Sequence, residues 1–578
     1  MFTNRNTKSL IIFLALALLV MIPLQAKQQL YDGSSKEYIE TRRLCQYVGV
    51  VGPSSALPVN ADELLIALDR IDRSSLPDYL QTRYDALYTS LEPLEAKAST
   101  YEFPIVFSPQ AFVSTEQNKD RDDFFIPFRD EKSLLDIGIR LNMADYVFLE
   151  SAFPIRNEPP RSHVPYSSFD FFFVDHTKWF QCMPLIARGS VGTDVVSAYI
   201  GRTRHSFGNG YTGNLLVGDN YAFQEVLDLK YTSNTFTYNI STTHFDTQQL
   251  GLVDTSQSRS DSFWGVQFDN PHFNGMQQTR VVHRFDINFA NKVRTALNLG
   301  TLYYGSSSFD ARWYIPFSVA HSYYNYAESE VINPESHDES NNIISLEIEY
   351  PVYPRFNLSC QIIMDQYQNK HESDIVPDAL GGMLSFSFVE LGKRVDYEAF
   401  IEAVYTYPYL YIAPKKNVTK YKKYDHEKNE YREETYSQYN WNYDFYLGYY
   451  TYQDGRSVEN APSSGGAWSG YGYGPNTALI SCGLNTTDNK INLDTQTLLM
   501  YYAQGDINSS INYFYNTNHR TEWLLGPVTH NLKLQEKVNY QVLPSLDLMG
   551  AFELSYAHKE GNNKFGCELY LGLSWRII

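Results

Sequence analysis

The sequence predicts an all-β transmembrane protein: an antiparallel outer-membrane β-barrel of about 18 strands with a small N-terminal helical bundle. Three observations predict this fold class. The C-terminus alternates strictly between apolar and polar residues, the N-terminus reads as an export signal, and most of the chain between them consists of paired segments with period-2 alternation.

The last stretch of the chain is too long for an ordinary soluble strand. From Phe565 to Ile577 every odd position is apolar, and the even positions are small or polar. Strands of soluble sheets average about 5–6 residues, whereas about 9–11 tilted residues cross a bilayer. The stretch therefore favours a barrel strand with an apolar face toward lipid and a polar face toward a lumen.

The N-terminus has the three parts of a secretory signal. Arg5 and Lys8 precede an apolar run that ends at Pro23, and Ala26 is a small residue at a plausible cleavage position. We therefore predict a signal peptide over residues 1–26; an uncleaved anchor helix is the alternative. No later stretch reaches the ~18 consecutive apolar residues of a transmembrane helix. Export without a helical anchor leaves a periplasmic, secreted or outer-membrane protein.

Residues 27–100 are predicted to be a helical segment on the periplasmic side of the barrel. Helical spacing predicts a first helix over Lys36–Tyr47. Asn60 followed three residues later by Glu63 has the pattern of a capping box, so a second helix is expected to begin there. A third is expected to begin at Pro77. An unstructured leader is the alternative for this segment.

Residues 101–578 are predicted to form the barrel, because their period-2 segments come in pairs that are joined by tight turns. The segments are 103–116; 134–143 and 146–156; 183–191 and 195–205; 221–232 and 235–245; 280–290 and 293–304; 342–351 and 355–367; 380–391 and 394–407; 475–485 and 491–504; 527–542 and 545–558; and 564–577. An additional strand over residues 169–174 is an alternative that the sequence leaves open. All tight turns then lie at the end that carries the helices, and all long loops lie at the other end, as in outer-membrane barrels. A soluble β-sandwich would have shorter strands.

Composition narrows the function classes. The net charge of −19 argues against nucleic-acid partners. The aromatic content of 15% suits interfacial girdles and also carbohydrate surfaces. The five cysteines are scattered and no pair has metal-ligand spacing, so we predict no metal site and no disulfide framework. Alternation within the strands places many charges on the inner face, often acidic ones such as Glu347, Glu349 and Glu398.

The longest predicted outer loops, 246–279, 305–341 and 408–474, hold the candidates for glycan contact. Aromatic rings can stack on sugar rings, while cationic groups bind hydroxyls or carboxylates. The candidate glycan-binding residues are Trp264, Arg312, Trp313, Trp441 and Trp468. Trp523 is a further tryptophan in an outer loop, and residues 415–443 form a charged, Tyr-rich run. The alternative is a solvated surface whose aromatics pack on the barrel rim.

The densest motif is Gly201–Asn220. Its five glycines indicate a chain that bends tightly or approaches another backbone closely. It lacks the Gly-Lys-Ser/Thr of a phosphate loop. His205 and Ser206 do not form a triad, because neighbouring strand residues point to opposite faces. Neither His205 nor His244 belongs to a Ser/His/acid constellation, so we predict no catalytic residue and no cofactor; a barrel enzyme acting on lipid or glycan is the third alternative.

Part of this motif resembles a known family. Gly201 and Arg202 at a strand end, followed by Phe207, Gly208 and Gly210, resemble the Wzi-like capsule assembly family, as does the Gly-rich stretch 470–484. The family commonly has Trp-Gly where this chain has Phe-Gly. The resemblance implies a lectin-like outer-membrane protein that helps to attach or organise capsular polysaccharide, and neither an enzyme nor the export channel.

The predicted function is therefore binding of surface or capsular polysaccharide for capsule assembly or retention. The expected partners are the outer-membrane bilayer, extracellular polysaccharide and the polysaccharide export machinery. A porin-like channel is the alternative, because an eighteen-strand barrel can hold an aqueous lumen. The two differ in whether Gly201–Asn220 and the loops fold inward. An anionic glycan would require local cations, such as Arg312 and Lys415–Lys423, to outweigh the overall negative charge.

Overall fold

The computed structural model describes most of the chain. The described residues are 28–92, 99–115, 125–126, 130, 132–143, 146–157, 179–181, 186–221, 223–245, 277–305, 311–315, 339–366, 377–411, 413–425, 430–442, 447–448, 467–506 and 522–577. The predicted signal peptide, the candidate strand at 169–174 and Trp264 lie outside them.

A closed antiparallel sheet of eighteen strands, β1 to β18, forms the wall of the described structure, which confirms the predicted fold class. The first strand, β1, consists of three short pieces, Thr100–Glu102, Ile105–Phe107 and Gln110–Ser114. Pro104 and Pro109 separate the pieces, because proline has no N–H to donate to a ladder. The short segment Trp179–Gln181 extends the pairing of the fourth strand along the third.

The remaining seventeen strands follow in chain order with the same order in space. They are β2 Leu135–Met143, β3 Val147–Asn157, β4 Ala187–Gly192, β5 Val196–Thr203, β6 Gln224–Thr232, β7 Phe236–Phe245, β8 Gln277–Phe289, β9 Val293–Gly305, β10 Glu339–Tyr353, β11 Phe356–Gln366, β12 Ala379–Glu390, β13 Val395–Thr406, β14 Thr477–Asp488, β15 Leu493–Gln504, β16 Thr529–Leu543, β17 Leu546–Lys559 and β18 Asn562–Arg576.

The ring closes between the first and last strands. In β18, Gly572 pairs with Gln110 and Trp575 pairs with Phe107 of β1. We call this junction the seam. The closing strand is the one whose alternation the sequence displays most clearly, and its observed bounds differ by one or two residues from the predicted 564–577.

The two faces of the wall differ as the alternation predicts. In β13, Ile401 faces outward with 48% of its side chain exposed, while the next residue, Glu402, faces inward and is fully buried. An apolar outer face and a polar inner face are typical of barrels that cross a bilayer. None of the helices in the described part of the chain is both long and apolar enough to cross a membrane.

Three α-helices, α1 Lys36–Val48, α2 Ala61–Leu68 and α3 Asp78–Leu91, precede the barrel in the described residues. The predicted capping box is confirmed: the side chain of Asn60 accepts from the N–H of Glu63, and the Glu63 side chain accepts from the N–H of Asn60. Helix α1 ends at Gly49, whose left-handed conformation terminates the helix.

The helices pack against one end of the barrel, at the tight turns. Their apolar core includes Val389 at the end of β12 and Leu391 in the turn after it. The Val51 N–H donates to the carbonyl of Asn291 at 3.0 Å, in the turn between β8 and β9. Helices and tight turns therefore share one end, which we call the turn end, and the opposite end is the loop end.

Candidate functional site

The segment Gly201–Asn220, the inner segment, crosses the barrel interior. After β5, Ser206 and Phe207 pair with Leu57 and Ala56 of the N-terminal region. Leu215, Leu216 and Val217 are fully buried, in one apolar cluster with inward residues of the wall: Val282, Leu302, Ile343, Ile363 and Met383. The segment therefore fills the lumen between β8 and β12.

Two glycines explain how the inner segment can turn so tightly. Gly208 has φ +124°, a conformation that side chains rarely adopt, and a Cβ there would lie 2.3 Å from Asn214 Oδ1. At Gly210 a Cβ would lie 1.9 Å from the carbonyl oxygen of Gly213. The glycine-rich motif is thus a tight internal loop.

The tip of that loop binds the inner face of β13. The N–H groups of Tyr211 and Thr212 each donate to the Glu402 carboxylate at 2.8 Å. The Tyr211 ring stacks on Phe400, and its hydroxyl donates to Glu398 at 3.1 Å. Burial, together with the charge of Glu398, raises the pKa of Tyr211 to about 12, so its hydroxyl remains a donor.

The acidic inner face predicted from the sequence is paired with cations of the helices. Arg42 and Arg43 of α1 both contact Glu398, at 2.5 and 3.1 Å. Arg83 of α3 contacts Asp396 at 2.9 Å. The helices are therefore held in the turn end by ion pairs that are largely shielded from water, as well as by apolar packing.

A buried charge network lies under the inner segment. Arg284 of β8 is fully buried and contacts Asp286 at 2.8 Å and Glu347 at 2.6 Å. It also donates to the hydroxyl of Ser55 at 2.8 Å and lies over the ring of Phe207. A cavity of about 10 Å³ between these groups has room for about one water molecule. The network thus joins the wall, the inner segment and the N-terminal region.

Aromatic residues cover the inner segment on the side that faces the loop end. Tyr409, Tyr411 and Tyr471 are almost completely buried. The Tyr411 hydroxyl donates to the carbonyl of Leu215 at 2.5 Å, and the Tyr471 hydroxyl lies 2.9 Å from that of Thr212. This layer separates the buried segment from the long outer loops.

The opposite part of the lumen is less tightly filled. The inward side chains of β16 are only half buried: Lys533, Gln535, Lys537 and Asn539. Towards the loop end, Phe125 and Ile126 pack against the inner wall, and the Phe125 N–H donates to Glu568 at 3.0 Å. Water therefore reaches part of the inner wall beside β16.

The structure brings together three of the five signature residues. Phe207, Gly208 and Gly210 form the start of the internal loop, whereas Gly201 and Arg202 lie in β5. A Cβ at Gly201 would lie 2.1 Å from the carbonyl oxygen of Ala187. Arg202 contacts Glu225 at 2.7 Å.

The predicted glycan-binding residues do not form one described cluster. Trp313 is 6% exposed and stacks on Tyr303, on the outer face of β9. Trp468 is partly buried near Tyr411. Arg312 lies in the short helix Ala311–Tyr314 and Trp441 in a hairpin strand, where the structure describes the backbone. Burial leaves little of the Trp313 ring available to a sugar, and the glycan roles of the others remain predictions.

A long hairpin at the loop end is a feature that the sequence reasoning missed. Ala413–Asp425 pairs in register with Glu430–Asn442, and we call this ribbon the outer hairpin. Strand alternation places Lys416, Lys420, Lys422, Tyr424, Tyr431, Tyr439 and Trp441 on the same face, which we call the aromatic face. Two Tyr-rich runs on either side of a polar tetrapeptide were the available signal for a hairpin.

The two histidines considered for catalysis lie within hydrogen-bond distance of hydroxyl groups on the wall. His205 lies between the hydroxyls of Tyr199 and Ser241, each 2.9 Å from a ring nitrogen. Burial, with the nearby charge of Arg280, lowers its pKa well below the ordinary value. His244 lies 3.2 Å from the hydroxyl of Thr279. Within the described residues, no group of three or more potential metal ligands occurs.

Comparison with known proteins gives a likeness in fold. The chain is similar to Wzi of Escherichia coli, an outer membrane protein involved in Group 1 capsule assembly and a carbohydrate-binding β-barrel. The TM-score is 0.52 at 12% identity, over 94% of this chain and 98% of that one. The Pseudomonas aeruginosa proteins OccK3 and OccD3 align with TM-scores of 0.37 and 0.38 at 8% identity, over 82% and 84% of this chain and 95% and 93% of theirs; similarity this low carries no argument.

No family model and no curated protein sequence matches the chain. The likeness to Wzi therefore concerns the fold alone. The chain has the fold of an outer-membrane β-barrel of the Wzi type.

Proposed function

We propose that this protein lies in the outer membrane, with its helices in the periplasm, and binds surface polysaccharide at its loop end to assemble or retain a capsule. The observation that carries the proposal is the inner segment. It joins the N-terminal region, β13 and the aromatic layer into one packed body. A barrel filled in this way offers a supported surface to the outside, on which a polymer can bind.

The outer hairpin is the element that we propose to contact the polymer. Its aromatic face combines four aromatic positions with three lysine positions and one acidic position, Glu433, which lies opposite Lys422. Aromatic rings can cover the apolar faces of sugars, and ammonium groups can bind hydroxyls and carboxylates. Each contact would be weak, but a polymer repeats its epitope, so several simultaneous contacts hold it more tightly than any single one. The lysines also supply local positive charge on a chain with a net charge of −19.

The experiment compares intact cells that carry or lack this protein. We expect cells without it to synthesise the polymer and to release most of it into the medium. Replacing Tyr424, Tyr431, Tyr439 and Trp441 by alanine should reproduce that release. The matched control replaces Tyr421 and Tyr436, which the register places on the opposite face of the hairpin, and should leave retention unchanged.

A porin-like channel is the second candidate, because the inward side chains of β16 are half exposed. It predicts that deletion lowers the uptake of small solutes and leaves polymer retention unchanged. That result would replace the polysaccharide proposal. Retention that depends on the aromatic face, with unchanged solute uptake, would exclude the channel as the main function.

A further inference from the structure

A carboxylate lies in the middle of the outer wall. Glu536 is the eighth of the fifteen residues of β16. Its outward neighbours along the strand are Leu532 and Leu534 on one side and Val538 and Tyr540 on the other. The other outward carboxylates of the described strands lie at or next to a strand end: Glu225, Glu390 and Asp488. Glu536 therefore stands apart from every described acidic residue of the wall.

Glu536 belongs to a polar patch on three adjacent strands. The Thr497 hydroxyl donates to Glu536 Oε2 at 2.5 Å. On the same strand as Thr497, the hydroxyl of Thr495 lies 2.8 Å from that of Thr486 on β14. Among the described residues, no protein group donates to the second oxygen, Glu536 Oε1. We call these four residues the Glu536 patch.

The surrounding lipid cannot satisfy this patch. Acyl chains offer no hydrogen-bond donor, and ionisable groups on a lipid-facing wall are costly and rare. Tyr540 lies four residues toward the turn end. At about 3.3 Å per residue and a tilt of about 40°, this places an aromatic belt about 10 Å from Glu536 along the membrane normal. The headgroups therefore lie too far away to be the regular partner of Glu536.

We propose that the Glu536 patch is the contact surface, within the membrane, for a second copy of this chain. This inference rests on the membrane position stated under Proposed function. Two copies inserted in the same direction carry the patch at the same depth, so a two-fold axis along the membrane normal brings it against itself. The patch is self-complementary, because in each copy one hydroxyl of the Thr486–Thr495 pair keeps a hydrogen to donate and Glu536 Oε1 can accept it. Gly550, outward on β17 beside β16, adds no side chain and allows close approach.

The test uses the full chain in intact outer membranes, with a photoreactive amino acid at one position on the outer wall. At Leu484, which pairs with Thr497 of the patch, we expect light-dependent linkage between two differently tagged copies. The matched control position is Ile200 of β5, which is 64% exposed and lies on a distant strand. It should give no such product. Linkage from Leu484 to lipid alone, or to a different protein, would overturn the proposal.

Variants of Glu536 test whether the photo-linked dimer depends on the Glu536 patch. Glu536→Leu should reduce the linked dimer about tenfold, because it removes a charge-assisted hydrogen bond from each copy. Glu536→Gln keeps an acceptor and should retain part of the dimer. Heat-modifiable migration establishes that each variant is folded. A dimer that persists unchanged in folded Glu536→Leu would overturn the role of the patch.

The same cells separate this inference from the proposed function. Absence of the chain from the outer-membrane fraction would remove both proposals. Presence there with a Glu536-dependent dimer but no effect on polymer retention would remove the polysaccharide proposal alone. Normal retention without any dimer would remove the present inference alone.

Discussion

The ring of Tyr211 lies parallel to the ring of Phe400 inside the barrel, with centroids 3.8 Å apart and an angle of 5° between the planes. Tyr211 is at the tip of the internal loop, and Phe400 is on the inner face of β13. The stack, together with the two N–H donors to Glu402, fixes the middle of the inner segment to the wall. The segment is therefore held near its start, where Ser206 and Phe207 pair with the N-terminal region, and again at the tip of its loop.

Replacing Tyr211 by alanine should loosen this anchor. The variant loses a stacked pair worth about 0.5–1.5 kcal/mol, together with the packing of a half-buried ring and the hydroxyl that donates to Glu398. We expect a higher permeability to small solutes in liposome swelling or antibiotic sensitivity assays. Tyr211→Phe keeps the stack and should behave almost as the wild type. Equal permeability of the alanine variant and the wild type would contradict the anchoring role.

Replacing Glu398 by glutamine should release the helices from the turn end. The two guanidinium groups of Arg42 and Arg43 would lose their shared carboxylate, and breaking a buried pair in this way costs about 3–5 kcal/mol. We expect faster proteolytic cleavage within residues 28–92. The control is Asp85→Asn, which removes a pair to Arg73 on the exposed surface and should leave the cleavage rate unchanged. Similar rates in both variants would mean that apolar packing alone holds the helices.

Stability should fall in mild acid because of His205. Its pKa is lowered in the folded protein by burial and by the charge of Arg280, whereas in the unfolded chain it is about 6.5. The unfolded state therefore binds the extra proton first. The contribution to stability is complete above about pH 6.5 and is lost below it by about 1.4 kcal/mol per pH unit, until the folded-state pKa is reached. Unfolding in urea at pH 7 and pH 5 should show a smaller pH dependence for His205→Gln. The same slope in both proteins would exclude His205 as the source.

Adding a methyl group at Gly210 should displace the internal loop. The new Cβ would lie 1.9 Å from the Gly213 carbonyl oxygen and 2.7 Å from Met383 Sδ, so backbone would have to move. We expect Gly210→Ala to unfold at a lower temperature and to admit more solute. The control is Gly382→Ala on β12, where the nearest atom to a Cβ is 4.0 Å away. A melting temperature for Gly210→Ala equal to that of the control would mean that the loop adjusts freely.

The wall of the barrel could be predicted from sequence because period-2 alternation is a local signal. Each inward and outward position is set by its neighbours two residues away, so β13 and β18 are visible without knowing their partners. The capping box at Asn60 is local in the same sense. The outer hairpin carried the same kind of signal, but its charged composition favoured a loop.

The interior could not be predicted, because its contacts join residues that are far apart in the chain. Arg42 and Glu398 are separated by 356 residues, and no local pattern distinguishes Glu398 from the other acidic residues that face inward. The glycines of the inner segment indicated close approach to backbone, and Gly201 and Gly218 confirm it: a Cβ would lie 2.1 Å from the carbonyl oxygen of Ala187 and 2.0 Å from that of Gly470. Which backbone they approach depends on the three-dimensional fold. The glycan contacts remain predictions for a related reason: their roles depend on the outer loops, where alternation is weak.

The seam has a mechanical consequence. Two prolines divide β1, so its hydrogen bonds to β18 are confined to two short stretches, while β17 pairs with β18 along nearly its whole length. The inner segment obstructs the axis of the barrel. Strain on the wall is therefore relieved most easily by separation of β1 from β18 at the seam. Amide protons of residues 110–114 should then exchange before those of the other strands of the wall.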